Sequence, residues 1–129
     1  MCSGGANWAQ IWSVVNDPQL GLTSTYCEAS IVGVPDQEML YYGGPDDNGR
    51  RANYAIHSSQ DGGLVWKSEV DVSGGGAAYS DLSMTRDGDV AFVFERGPSD
   101  RYPYAYLSFG KIPTGSQRMQ QLTEEKAPL

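Results

Sequence analysis

Hydrophobic and polar residues alternate along most of this chain in short stretches, and no window keeps a helical period. Alternation with a period of two places successive side chains on opposite faces of a strand. Turns rich in Gly, Pro and Asp separate these stretches, so neighbouring strands are expected to pair antiparallel. The pattern predicts an all-β protein with strands at residues 9–15, 28–34, 39–43, 54–59, 66–72, 79–85, 90–95 and 104–109.

The grouping of these strands predicts part of a β-propeller, because four-stranded meanders are the blades of propellers. Residues 28–72 supply four strands, residues 79–109 supply three more, and residues 9–15 would be the outer strand of a preceding blade. A propeller closes with at least about four blades. We therefore expect a partial propeller of about two blades at residues 1–112, followed by a polar, frayed tail at residues 113–129.

Composition and charge narrow the classes of partner. The 129 residues, 40% of them hydrophobic, suit one small domain. A net charge of −7, with nine Lys and Arg residues spread along the chain, argues against nucleic acid and anionic membranes as partners. We expect no membrane-spanning segment, because no apolar stretch approaches the roughly 20 residues needed. Residues 1–5 lack the features of a signal peptide, and the compartment stays open.

Metal and cofactor chemistry are not predicted. Cys2 and Cys27 have no second ligand at metal spacing, and His57 is the one histidine of the chain. Residues 46–49 resemble the start of a calcium loop but lack its bidentate glutamate, so they predict a turn. We expect His57 to be a hydrogen-bonded strand residue and Cys27 to be a buried core thiol.

Four short motifs stand in order along the chain. Residues 51–56 read RANYAI, residues 59–66 read SQDGGLVW, residues 77–82 read AAYSDL, and residues 94–95 read FE. The second fits the Asp-box pattern Ser-x-Asp-x-Gly-x-x-Trp, in which Asp61 is expected to accept backbone N–H groups across a hairpin while Trp66 packs inward. Together, over about residues 12–109, the motifs resemble the C-terminal part of the exo-α-sialidase (neuraminidase) family, whose six-bladed propellers carry Asp boxes.

This resemblance implies roles for three residues. Tyr79 would be the catalytic nucleophile, since a neutral phenol approaches the anomeric carbon of a sialic acid without repelling the neighbouring carboxylate. Arg51 would bind that carboxylate, and Glu95 would hold another arginine of the family's carboxylate-binding triad. Each residue also has an alternative interpretation. In that case Tyr79 is an ordinary strand aromatic, Arg51 is a solvated loop residue and Glu95 is a surface carboxylate.

The resemblance implies a segment of an enzyme that hydrolyses terminal α-linked sialic acids with retention, acting on sialylated glycoconjugates without a cofactor. The family's acid/base aspartate, glutamate base and first two triad arginines match no motif here, so the segment is expected to be inactive by itself. The alternatives are a non-catalytic sialoglycan-binding or structural propeller module, and a fragment whose edge strands pair with the missing blades or with itself. Family members are secreted, lysosomal, membrane-associated or cytosolic.

Overall fold

The computed structural model describes residues 21–23, 25, 27–114 and 125–128. These residues form an all-β structure without a helix, and therefore without a helix that could cross a membrane. The seven strands are β1 (Ser30–Gly33), β2 (Leu40–Pro45), β3 (Ala52–Ser59), β4 (Lys67–Met84), β5 (Asp89–Gly97), β6 (Tyr106–Pro113) and β7 (Glu125–Pro128).

The strands build one antiparallel sheet in which each strand pairs with the next strand of the chain, in the order β1-β2-β3-β4-β5-β6-β7. The sheet curls, so strands that are not hydrogen-bonded neighbours also meet. The Ser30 hydroxyl donates to the Asp81 carboxylate at 2.8 Å, which joins β1 to β4. The Ser80 hydroxyl donates to the Gly43 carbonyl at 3.2 Å, which joins β4 to β2. The curl gives the sheet a concave face that can hold a core.

The core on this concave face is built around three aromatic rings. Tyr54 and Phe94 stack with ring centroids 4.1 Å apart and an interplanar angle of 6°, and Phe92 tilts against both. All three are almost fully buried. Their other buried apolar neighbours are Val34, Tyr41, Ile56, Ala77, Leu82, Val90 and Ile112. Inward-facing positions alternate along β5 as the hydrophobic pattern predicts, whereas in β6 Ser108 and Gly110 face inward and Leu107 and Phe109 are exposed.

The Asp box forms the turn between β3 and β4 in the way its pattern predicts. Asp61 Oδ1 accepts the backbone N–H groups of Leu64 and Val65 at 3.1 and 3.0 Å and the Ser59 hydroxyl at 2.7 Å. Trp66 is buried, and its indole N–H donates to the Gly63 carbonyl at 3.0 Å. Hydrogen bonds from Val65, Ser59 and Leu64 hold the pKa of the Asp61 carboxyl below its usual value. The expected roles of Asp61 and Trp66 are therefore confirmed.

Strand β4 departs from the sequence prediction. A turn was expected at residues 74–76, but β4 runs through these glycines as one strand of 18 residues, so the expected turn is wrong. A Cβ on Gly76 would lie 2.0 Å from the Ser99 carbonyl oxygen, and one on Gly75 would lie 3.0 Å from the Gly97 carbonyl oxygen. The glycines thus allow a close backbone approach within the sheet rather than a reversal of the chain.

The continuous β4 makes a single sheet of what the sequence divided into separate four-stranded blades. The strand predicted at residues 9–15 lies outside the described residues. In the tail that was expected to be polar and frayed, residues 125–128 form β7, which pairs with β6. The other strands begin and end within a few residues of their predicted positions.

Candidate functional site

The residues singled out by the sequence meet at one end of the sheet. Arg51 lies just before β3, Tyr79 lies within β4, and Glu95 lies near the end of β5. The Ala77 N–H donates to the Arg51 carbonyl at 2.8 Å, which ties the segment before β3 to β4. The register of the β4–β5 pair shifts between Ala77 and Ser80. This irregularity lies at Tyr79, and such bulges re-aim a side chain that a regular strand would fix.

Tyr79 is partly accessible, with 46% of its surface exposed, although Ala77 and Ala78 before it are fully buried. Its backbone N–H donates to Glu95 Oε2 at 3.3 Å. Glu95 therefore holds the backbone of the residue that the resemblance identifies as the nucleophile. Its expected partner, another arginine of the triad, has no counterpart among the motifs of this chain, and that role of Glu95 stays a prediction.

Arg51 lies between two tyrosines. The carbon atom of its guanidinium is 5.3 Å from the ring centroid of Tyr79 and 5.9 Å from that of Tyr104. Arg51 Nη1 also donates a hydrogen bond to the Tyr104 hydroxyl. Loss of solvent lowers the pKa of Arg51, but the neighbouring Cys27 and Tyr104 outweigh this effect and raise it. The guanidinium is thus charged and held by two aromatic faces.

The adjacent arginine has a different environment. Arg50 donates from Nε and Nη2 to the two carboxylate oxygens of Asp47, both at 2.9 Å. Asp47 also accepts the side-chain amide of Asn53 at 2.8 Å, and Asn53 adopts a positive φ of 60°. This network fixes the turn that precedes β3. The charge of Arg50 is therefore neutralised by a bidentate carboxylate, whereas Arg51 contacts the side chains of two tyrosines.

Two residues of the site were missed or misplaced by sequence reasoning. Tyr104 was predicted as the first residue of a strand but lies in the loop before β6, and no motif marked it as a site residue. Cys27 was expected in the core, but it is a partly exposed free thiol next to the site. Burial raises the pKa of Cys27, the Arg51 guanidinium lowers it, and Glu95 raises it again, with a net rise. The net rise keeps Cys27 in its thiol form at neutral pH.

The remaining polar candidates are structural. His57 is buried in β3, with Nε2 3.4 Å from the Asp46 carboxylate and Nδ1 without a hydrogen-bond partner among the described residues. The loop at residues 46–49 is held by the contacts of Asp47 with Arg50 and Asn53, in keeping with the predicted turn. Within the described part of the chain, no group of three or more His, Cys, Asp or Glu side chains could hold a metal ion.

Comparison with known proteins gives no family assignment: a scan against protein-family models and a search of curated proteins found no match to this chain. The chemistry of the site must therefore be argued from its own residues. The cluster offers a charged guanidinium for an anionic ligand, an accessible phenol beside it, and a carboxylate that holds the backbone of the phenol.

Proposed function

We propose that this chain is the C-terminal part of a sialidase β-propeller and supplies the nucleophile and one carboxylate-binding arginine of an exo-α-sialidase site. The observation that supports this most directly is the stacking of the Arg51 guanidinium 5.3 Å from the Tyr79 ring centroid. The antiparallel meander and the Asp-box turn between β3 and β4 support the propeller, whereas the continuous β4 departs from a division into separate blades.

The proposed chemistry uses the two side chains in sequence. Arg51 binds the carboxylate on the anomeric carbon of sialic acid through its planar fork of N–H donors. This binding brings the anomeric carbon to the neighbouring Tyr79 hydroxyl, whose oxygen attacks as the glycosidic bond breaks. Water then releases the sugar from the tyrosine with retention of configuration. Because the carboxylate of sialic acid is negative, a neutral nucleophile avoids repulsion that Asp or Glu would meet.

The attacking phenol needs a base, since a hydroxyl becomes an effective nucleophile only when a neighbouring group takes its proton. The described hydrogen bond of Glu95 is to the Tyr79 backbone and not to its hydroxyl. We therefore assign Glu95 to positioning, and the base and the acid to other blades. The chain by itself is expected to bind sialosides weakly and to hydrolyse them at most very slowly.

A binding experiment tests the proposal. Methyl α-sialoside is titrated into the ¹⁵N-labelled 129-residue chain, and amide shifts are followed by NMR. Saturable shifts at Tyr79 and Arg51 are expected, and Arg51→Ala should abolish them because the carboxylate loses its partner. Arg50→Ala is the matched control, since Arg50 is engaged by Asp47. Equal binding by the wild type and Arg51→Ala, or no binding by either, would refute the proposal.

Hydrolysis separates the enzyme from the second candidate, a module that binds sialoglycans without cleaving them. The engagement of Glu95 by the Tyr79 backbone favours this candidate for the isolated chain. A fluorogenic sialoside is incubated with the wild type and with Tyr79→Phe, and size-exclusion chromatography reports self-association. Turnover that is lost in Tyr79→Phe supports the enzyme. Binding without turnover is expected of both candidates, because the proposed enzyme takes its acid and base from other blades, so only turnover that depends on Tyr79 decides between them.

A further inference from the structure

Exposed tyrosines follow one another in the segment that leads into β6. The exposed fractions are 58% for Tyr102, 40% for Tyr104 and 44% for Tyr106. Tyr102 and Tyr104 precede the strand, and Tyr106 is its first residue. Large aromatic surfaces of this kind on a folded chain commonly mark a binding site, since their burial by a ligand is favourable.

This aromatic segment is continuous with the candidate site. Tyr104 accepts a hydrogen bond from Arg51, and the guanidinium carbon of Arg96 lies 5.7 Å from the ring centroid of Tyr106. Both arginines flank Ala77. The Ala77 N–H donates to the Arg51 carbonyl, and Ala77 is the residue of β4 that pairs with Arg96 of β5. Two arginine–tyrosine pairs therefore lie side by side around one buried alanine.

The backbone that carries these tyrosines is held firmly against the sheet. Pro103 is fully buried. The Tyr102 carbonyl oxygen would lie 1.8 Å from a Cβ on Gly97, and the Ser99 carbonyl oxygen would lie 2.0 Å from a Cβ on Gly76. These approaches are possible because both strand positions are glycine. Such close packing holds the backbone of the segment in place, which reduces the entropy lost when a ligand binds.

We propose that Tyr106, two residues beyond the Tyr104 that contacts Arg51, forms a platform for a second sugar, the neutral pyranose to which the sialic acid is attached. Two residues of chain span at most about 7 Å, so the two rings can serve adjacent sugars of one glycan. A pyranose presents C–H groups on one face, and these pack against the negative face of an aromatic ring. The Tyr104 hydroxyl accepts from Arg51 and can still donate its own hydrogen to a sugar hydroxyl. This inference rests on the proposed function of Arg51 and adds specificity for the rest of the glycan.

The test compares two ligands and three proteins. Isothermal titration or NMR gives the Kd of methyl α-sialoside and of sialyllactose for the wild type, Tyr106→Ala and Phe109→Ala. Phe109 is the matched control, because it is also 44% exposed on β6 but has the opposite strand parity. The wild type is expected to bind sialyllactose about fivefold more tightly than methyl α-sialoside, the effect of one aromatic contact. Tyr106→Ala should lose this gain and keep its affinity for methyl α-sialoside, and Phe109→Ala should keep both.

The outcomes separate this inference from the proposed function. Equal affinity of the wild type for the two ligands, or a gain that persists in Tyr106→Ala, would overturn the platform while leaving the role of Arg51 intact. A gain lost equally in Phe109→Ala would also overturn it, because the effect would then not belong to the tyrosine segment. Absence of binding to both ligands would overturn the proposed function and the platform together.

Discussion

Replacing Gly97 by alanine should separate the tyrosine segment from the sheet. Gly97 ends β5, and a Cβ there would lie 1.8 Å from the Tyr102 carbonyl oxygen and 2.8 Å from Pro103 Cα. Ordinary van der Waals contact begins near 3.4 Å, so the opposing backbone would have to retreat by about 1.6 Å. The atoms in the way belong to the main chain, which cannot move aside as the end of a flexible side chain can.

The expected destabilisation follows from this overlap. Extra methyl groups forced into packed sites typically cost about 1–3 kcal/mol. For a domain of this size, about 2 kcal/mol lowers the Tm by on the order of 10 °C. The displaced segment also carries Tyr104 away from Arg51, so binding of sialyllactose should weaken more than the fraction of folded protein explains.

Urea unfolding followed by tryptophan fluorescence measures the change, with Gly74→Ala as the control. Gly74 lies in β4 with no atom within 4 Å of its added Cβ and without a positive φ, so that variant should be neutral or slightly more stable. Equal unfolding midpoints for Gly97→Ala and Gly74→Ala would show that the segment does not pack on β5 as described. A lower midpoint with unchanged sialyllactose affinity per folded molecule would refute the link to Arg51.

Three further substitutions test the fold that supports the site. Phe94→Ala removes a fully buried ring stacked on Tyr54 and should lower the free energy of unfolding by about 3–5 kcal/mol in urea, with Phe94→Leu costing less. Asp47→Ala leaves the side chains of Arg50 and Asn53 without their acceptor and should cost about 1–3 kcal/mol, more than Arg50→Ala costs. Asp61→Asn should lower the Tm at pH 7, and this difference should shrink as the pH falls below about 4.

The sign of the pH effect follows from the direction of the shift. Backbone and hydroxyl donors stabilise the Asp61 carboxylate, so its pKa in the folded protein is below that in the unfolded chain. Its contribution is complete above the unfolded pKa and is lost as the pH falls through the folded one. A Tm difference that is constant from pH 7 to pH 3 would contradict this account. Equal losses of unfolding free energy for Asp47→Ala and Arg50→Ala would contradict the prediction for Asp47. A small loss for Phe94→Ala would contradict the prediction for the core.

The strands could be predicted from the sequence where one alternating stretch corresponds to one paired strand. Strands β3 and β5 are of this kind, since their apolar positions repeat on the face that meets the core. The prediction of a turn failed at residues 74–76. Three consecutive glycines occur both in turns and in strands that another backbone approaches closely, so the local sequence does not distinguish the two. The distinction comes from the Ser99 and Gly97 carbonyls, which are remote in sequence.

The site shows the same division between local and distant information. Tyr79, Arg51 and Glu95 could be named because they stand within recognisable motifs, and the structure brings Tyr79 into contact with the other two. Tyr104 could not be named, because its contact with Arg51 depends on how residues 98–103 fold over the sheet. Cys27 was placed in the core because thiols are commonly buried, whereas the curl of the sheet brings it to Arg51.

The order of strands in the sheet, identical to their order in the chain, has a consequence for folding kinetics. All-β proteins usually fold slowly because they must close long loops before distant strands can pair. Here each strand from β1 to β6 finds its partner in the next stretch of chain, so hairpins can form successively on the microsecond scale. The slow step should be the curling that brings Ser30 to Asp81, and substitution of either residue should therefore retard folding more than it accelerates unfolding.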